Sequence, residues 1–330
     1  MRTFRRQWKP VVVILLGALT PWLVNEEYFT HVLTLALIYV VLAMSLQLLL
    51  GYAGQLSLGH AAFFGVGAYT SAACSAQLKM PVPVAIVCGV ALAGALGAVV
   101  APISRLRGNY LAVGTLGLVE IVHTVFLNWT PVTHGTEGYL NIPAFSFFGY
   151  LPLETDFHYY YVVFALTVVV YLSFRQLVEN SRFGQSLAAI RQNELAAAAV
   201  GVNARFYKMQ VFILSSAAAG LAGGLFAHFI RYLSPNQFTL DVSIAVLMMI
   251  VVGGIGSLNG AVVGALLLSF APEYLRQFQE FRLVIYGVLI LVLMIFVPSG
   301  LAGLWRRGLR AVRRSRGNTG SATPVAVRSP

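Results

Sequence analysis

The chain has 330 residues, of which 58% are hydrophobic and only 10% charged, and its mean hydropathy is +0.78. A soluble domain of this length is usually about 25% charged, so a large soluble core is excluded. Residues 28–78 contain no Asp, Glu, Lys or Arg, which favours a polytopic membrane protein. The net charge of +11 is concentrated at the chain ends and between apolar runs, as in membrane topology, so nucleic acid is not an expected partner.

Ten apolar runs predict an all-α polytopic integral membrane helical bundle of about ten transmembrane helices. Their bounds are 10–24, 31–50, 60–78, 81–103, 109–129, 159–176, 207–230, 242–255, 257–272 and 283–298. We interpret the first run as a retained helix, because the stretch ALTPWLVNEE that follows it contains no A-x-A cleavage site. Residues 1–305 would then be the transmembrane domain.

The basic residues predict the orientation of this domain. With the N-terminus in the cytoplasm, most Lys and Arg lie on the cytoplasmic side and most acids on the other side, in agreement with the positive-inside rule. Both the N- and C-termini are then cytoplasmic. Residues 130–158 become a periplasmic segment, residues 177–206 a cytoplasmic segment, and residues 306–330 a basic, disordered tail near anionic membrane lipid.

The sequence contains none of the motifs expected of an enzyme or a metalloprotein. There is no G-x-x-x-x-G-K-[ST] phosphate loop, no H-E-x-x-H and no G-x-S-x-G, so no catalytic residue, metal site or cofactor is predicted in this chain. Cys74 and Cys88 lie in apolar runs and are interpreted as buried small residues.

The cytoplasmic segment carries a predicted helix. Residues between Ser186 and Val200 are mostly helix formers, and Gly201 follows them where a helix end is expected. Such a helix, with Arg191 and Glu194 ahead of an alanine run, can dock into a groove of a soluble partner. The spacing is equally compatible with an ordinary amphipathic connector.

Seven segments spread over nearly the whole chain are, in order, GYAGQLSLGHAAFFGVGAYTSA, LRGNYLAVGTLGLVEIVHTVFLNW, SRFGQSLAAIRQNELAAAAVGVNARFYK, SSAAAGLAGGLFA, LSPNQFTLDVSI, VVGGIGSLNGAVVGA and VPSGLAG. Together they resemble the LivM-type permeases, the membrane subunits of ATP-binding-cassette importers for branched-chain amino acids. The chain departs from that pattern at Ala198, where a second acid is frequent, and at His134 and Tyr139 in the outer segment.

The resemblance implies a permease that translocates branched-chain amino acids, or related small polar solutes, across the bacterial inner membrane by alternating access. It implies four kinds of partner: a LivH-type second permease, two ATPase subunits of LivG and LivF type that bind ATP and Mg²⁺, a periplasmic solute-binding protein, and membrane lipid. Coupling to the ATPases would use Arg191, Glu194, Ala197 and Gly201. The alternatives are an importer of urea, short amides or aromatic acids with the same architecture, an ion-coupled secondary transporter, and a membrane scaffold.

Glu120 is the only charged residue near the middle of a predicted span. It lies about 16 Å along the fifth span, where an acid costs about 3 kcal/mol to insert. His123, Thr124 and Gly117 share its helix face. One interpretation is a polar wall or gate of the translocation path, stabilised by a Glu120–His123 hydrogen bond; the other is a buried structural pair.

Two uncharged glycine-rich stretches, residues 51–69 and 253–260, interrupt the apolar pattern on the predicted cytoplasmic side. Glycines allow a helix to break, and Gln55, Ser57 and His60 could satisfy the freed backbone or line the path. The alternative is a pair of tight turns packed in the protein interior. The predicted helix breaks are at Gly51, Gly54, Gly59, Gly253, Gly254, Gly256 and Gly260.

Overall fold

The computed structural model describes residues 26–105, 109–147, 151–152 and 156–274, together with positions 285, 287, 288 and 303. The predicted first span, nearly all of the tenth span and the predicted basic tail lie outside the described residues.

Helices make up most of the described chain. They are α1 (Glu27–Leu46), α2 (His60–Ala76), α3 (Val82–Val100), α4 (Asn109–Asn128), α5 (Thr130–Thr133), α6 (Asp156–Glu179), α7 (Arg182–Gln192), α8 (Glu194–Ala199), α9 (Ala204–Ile230), α10 (Leu240–Gly253) and α11 (Leu258–Tyr274). A π-helical turn, Gln47–Tyr52, extends α1, and a 3-10 turn, Ala101–Arg105, extends α3. Two-residue strands β1 (Ser146–Phe147) and β2 (Leu151–Pro152) pair antiparallel in the segment between α5 and α6.

The second to ninth predicted spans coincide with α1, α2, α3, α4, α6, α9, α10 and α11. Six helical stretches of the described chain are long and apolar enough to cross a membrane, and they contain α1, α3, α4, α6, α9 and α10. The helices α2 and α11 have 17 residues each.

The centre of the bundle is formed by α1, α2 and α9. From Ala36 to Leu49, only Tyr39 of α1 and its π-helical extension is not buried, which is typical of a helix surrounded by others. Helix α9 packs against α2 and α3, while α6 and α11 flank α1, and α10 packs against α11. Helix α4 lies at the edge of the bundle, mainly against α2.

Close packing of α3 on α9 uses the small residues spaced four apart in both helices. A methyl group added at Gly97 would lie 2.6 Å from Ser216 Cβ, and one added at Gly224 would lie 3.3 Å from Ile86. Gly220 lies directly against Ala93. These small-residue faces of α3 and α9 are therefore helix-packing surfaces.

The helix ends lie in two groups at opposite ends of the bundle, as expected for spans that alternate in direction. One group, the glycine-turn end, contains residues 51–59, 101–105, 177–203 and 254–257. At the other end, His31 Nδ1 lies 3.0 Å from Asp156 Oδ2, and Tyr139 pairs through its backbone with Leu233.

Candidate functional site

The first glycine-rich stretch forms an irregular, partly buried connection between α1 and α2. Gly54 has a φ of +71°, a conformation that favours glycine, and residues 54–59 adopt no regular structure. Other parts of the chain satisfy the backbone there: Leu58 N donates to Thr115 Oγ1 at 2.9 Å, and Ala61 N donates to Ser243 Oγ at 3.0 Å. Side chains of α4 and α10 thus pair part of the backbone that the interruption frees.

Gln55, Ser57 and His60 are all buried beside this interruption. Gln55 Nε2 donates to Ser104 O at 3.4 Å, and Ser57 Oγ accepts from Gly59 N at 3.2 Å. These side chains lie among packed helices, and their role along a translocation path stays a prediction.

The His60 ring is part of a short hydrogen-bonded chain. Ser215 Oγ donates to Ser45 O at 2.6 Å, so it accepts from His60 Nε2 at 2.9 Å. This pairing leaves His60 Nδ1 as a buried acceptor without a partner among the described residues. The chain of hydrogen bonds ties α2 to both α1 and α9 at the interruption.

The second glycine-rich turn connects α10 to α11. Its bend lies at residues 254–257, where Gly254 and Gly256 have φ values of +115° and +88°. Gly253 and Gly260 lie inside the two helices and allow their backbones to touch. Gly51 is likewise inside the π-helical turn, where an added methyl group would meet the Gln47 side chain. Gly253, Gly260 and Gly51 therefore serve packing, while the bend itself is elsewhere.

The two glycine-rich turns lie against each other, although they are far apart in the chain. Gln47 Nε2 donates to Gly254 O at 3.1 Å across 207 positions, and Leu258 N donates to the Tyr52 hydroxyl at 3.3 Å. The irregular ends of α1 and of the α10–α11 pair therefore form one joined region.

Arg191, from the last turn of α7, reaches into this joined region. Its guanidinium donates to Gly51 O. A methyl group added at Gly54 would lie 3.3 Å from Arg191 Cγ, and one added at Gly256 would lie 2.8 Å from Arg191 Nη1. A single side chain of α7 thus contacts both glycine-rich turns. Sequence reasoning selected Arg191 but had no signal for this contact with Gly51, which is 140 positions away.

The segment of residues 177–206 contains two short helices, α7 and α8, and not the single predicted one. Asn193 interrupts it with extended backbone (φ −159°, ψ 109°), and its Oδ1 accepts from Leu195 N at 3.0 Å and Ala196 N at 3.1 Å. Because the side chain caps the start of α8, a new helix direction begins there. Arg191 and Glu194 therefore belong to different helices.

Helix α8 is fixed on one side and exposed on the other. Glu194 forms an ion pair with Lys208 at 2.8 Å, and Ala197 is buried against Ile190 and Ala204. Leu195 and Val200, by contrast, are 73% and 79% exposed. Gly201 lies just after α8 with a φ of +86°, and a methyl group added there would meet no atom within 4 Å.

Glu120 lies on the exposed side of α4. His123 is half-buried, and its Nε2 has no hydrogen-bond partner among the described residues. Within the described part of the chain, no hydrogen bond joins His123 to Glu120, so the expected pair is not formed. The opposite face of α4 is buried, with Thr115, Val119 and Phe126 at helical spacing.

His228, which sequence reasoning did not select, joins three elements at the end opposite to the glycine-rich turns. Its Nδ1 lies 2.9 Å from Pro143 O and its Nε2 lies 2.9 Å from Ser71 Oγ. Since a carbonyl only accepts, Nδ1 carries the proton and Nε2 accepts from the serine. His228 thereby attaches the segment between α5 and α6 to α2 and α9. Burial raises the pKa of the Tyr139 phenol in the same segment.

We expect His228→Ala to lower stability by about 1–3 kcal/mol, because it removes a hydrogen-bond partner from both the Pro143 carbonyl and the Ser71 hydroxyl in a buried site. The thermal unfolding midpoint of the purified protein measures this. His134→Ala is the matched control, because it also removes a histidine ring. The His134 side chain is exposed, and its ring contacts Tyr139 edge-to-face. Equal midpoints for the two variants would contradict the prediction.

Comparison with known proteins identifies the family. Residues 28–298 match the family described as "Branched-chain amino acid transport system / permease component". The chain belongs to this family of permeases. It is 31% identical to the high-affinity branched-chain amino acid transport system permease protein LivM of Escherichia coli strain K12, over 91% of this chain and 76% of that protein. The LivM protein of Salmonella typhimurium is 30% identical over the same shares.

The permease also resembles a second type of subunit. The LivH permease protein of Escherichia coli strain K12 is 22% identical, over 84% of this chain and 95% of that protein. No solved structure is significantly similar to the chain. The chain is therefore a multi-pass integral membrane protein and a permease subunit of an ATP-binding-cassette importer, and the members of its family are transport subunits, not enzymes.

Proposed function

We propose that this permease forms half of a pathway that moves branched-chain amino acids across the bacterial inner membrane by alternating access. The family match and the names of the relatives support the substrate class. Ten spans with both termini in the cytoplasm agree with the distribution of basic residues. The glycine-turn end is then the cytoplasmic end.

The other subunits supply the second half of the pathway, the ATP hydrolysis and the delivery of the solute. A LivH-type permease forms the second half of the pathway, and LivG- and LivF-type ATPases bind ATP and Mg²⁺ at the cytoplasmic end. A periplasmic solute-binding protein delivers the amino acid at the opposite end. The similarity of this chain to both LivM and LivH proteins supports a pathway built from two related chains.

The contact of Arg191 with both glycine-rich turns is the observation that carries the mechanism. The exposed side chains of Leu195 and Val200 suit the apolar groove of a soluble partner, so an ATPase subunit docks on α8. Movement of α8 carries α7 with it, since both pack on the start of α9. Arg191 then transmits this movement to the two glycine-rich turns, where the irregular backbone at Gly54 and Gly256 allows a change of helix direction.

Reconstituted vesicles test this function. The permease with its four partner proteins should accumulate leucine only when hydrolysable ATP is present on the ATPase side. A non-hydrolysable ATP analogue is the control. Leucine uptake driven by an ion gradient without the ATPases would overturn the proposal in favour of a secondary transporter. Uptake of urea, short amides or aromatic acids but not of leucine would overturn the substrate class.

A further inference from the structure

Helix α4 exposes an unusual combination of side chains. Gly117, Glu120 and Thr124 recur at helical spacing on one face, and a methyl group added at Gly117 would have no atom within 4 Å. Val113 and Ile121 flank them and are also exposed. We call these five residues the α4 stripe. The stripe is opposite the face that packs on α2, so nothing in the described chain covers it.

The exposed faces of other spans are different. At mid-length, α3 exposes Val87, Leu92 and Ala95, and α6 exposes Ala165 and Val169. These faces suit lipid tails. Among the described spans, α4 alone presents a charged side chain at mid-depth.

A carboxylate cannot face lipid at that depth without a large cost, so the stripe must face water or protein. No Lys or Arg forms an ion pair with Glu120 in the described chain. Within the described residues this carboxylate is therefore free to receive a cation. The stripe pairs this carboxylate with two aliphatic side chains on the same exposed side of the helix.

The geometry points to the α4 stripe as a substrate-contact surface in which Glu120 accepts the ammonium group of an amino acid and Val113 and Ile121 receive its aliphatic side chain. This inference rests on the proposed function, because it assumes an amino acid as the solute. The Glu120 carboxylate complements the ammonium group of an amino acid. Urea and an aromatic acid such as benzoate have no ammonium group and would not make this contact. The stripe then faces the aqueous pathway shared with the second permease.

Cysteine protection in the complete importer tests the inference. Cys74 and Cys88 are replaced by serine, and Thr124→Cys places a thiol one turn from Glu120. A charged, membrane-impermeant methanethiosulfonate should modify this introduced thiol rapidly. Leucine well above its dissociation constant should slow the reaction at least about fivefold, because an occupied site blocks access to the thiol. Isocaproate, which has the same carbon chain without the ammonium group, should not protect. Leu92→Cys on α3 is the matched lipid-facing control and should stay unmodified.

Glu120→Gln separates a contact role from a merely structural one. In the Thr124→Cys background it should abolish leucine protection while the introduced thiol stays reactive. On its own it should lower leucine uptake at least about tenfold with normal amounts of assembled importer. Glu137→Gln, which removes an exposed acid outside the spans, should leave uptake unchanged.

Three results would overturn the inference: an unreactive thiol in the Thr124→Cys importer, equal protection by leucine and isocaproate, or uptake by Glu120→Gln within twofold of an active wild type. Failure of the proposed function is distinct, because the wild-type importer itself would then show no ATP-dependent leucine uptake.

Discussion

Replacing Arg191 by alanine is expected to lower leucine uptake at least about tenfold while the assembled importer still hydrolyses ATP. The variant removes the hydrogen bond to Gly51 O, a bond from a charged donor, and the contacts with Gly54 and Gly256. The α8 surface that would receive the ATPase is unchanged. Movement of the cytoplasmic segment then no longer reaches the glycine-rich turns. Leucine uptake and ATP hydrolysis in the same vesicles give the ratio of solute moved to ATP used.

Two variants of the same helix sharpen this test. Arg191→Lys keeps the charge but loses the planar guanidinium, so we expect an intermediate ratio. Arg182→Ala removes an exposed arginine from the first turn of α7 and should behave as wild type. Wild-type uptake by Arg191→Ala would refute the role of Arg191 in transmission. A parallel loss of ATP hydrolysis and of bound ATPase subunits would instead assign it to docking.

Gly223→Ala is expected to lower the stability of the protein. Gly223 lies where α9 crosses α2, and an added methyl group would collide with the Phe64 carbonyl and lie 2.8 Å from Ala68 N. These are backbone atoms of a helix, which cannot move away as a flexible side chain can. The two central helices must separate, and overpacking of this kind costs about 1–3 kcal/mol. The thermal unfolding midpoint and the amount of protein in the membrane should both fall.

Gly117→Ala is the matched control for this substitution. Gly117 is also within a membrane-spanning helix, but an added methyl group there meets nothing within 4 Å. Alanine favours a helix over glycine by about 1 kcal/mol, so the unfolding midpoint should stay the same or rise. If both variants unfold at the wild-type temperature, the close approach of α2 and α9 does not limit stability.

Sequence reasoning placed the helices well because a membrane span leaves a strong local signal. A run of about 20 apolar residues is long enough to cross a bilayer and rarely serves another purpose, and eight of the predicted runs coincide with described helices. The segment of residues 177–206 was harder to predict. A run of helix formers from Ser186 to Val200 predicts one helix, but the Asn193 side chain pairs with the backbone of α8 and begins a second one. Local capping of this kind competes with helix propensity, and composition does not reveal which prevails.

For the candidate site too, some features follow from the sequence and others only from the tertiary structure. The sequence alone determined the order of the spans, the positions of the glycine-rich stretches and the mid-span location of Glu120, since these follow from residue type and spacing. Only the tertiary structure decided that Arg191 contacts Gly51 and Gly256, that Gly253 and Gly260 are packing residues, and that Glu120 lies on an exposed face. Periodicity defines the faces of a helix but not their neighbours, because those depend on how helices distant in sequence pack together.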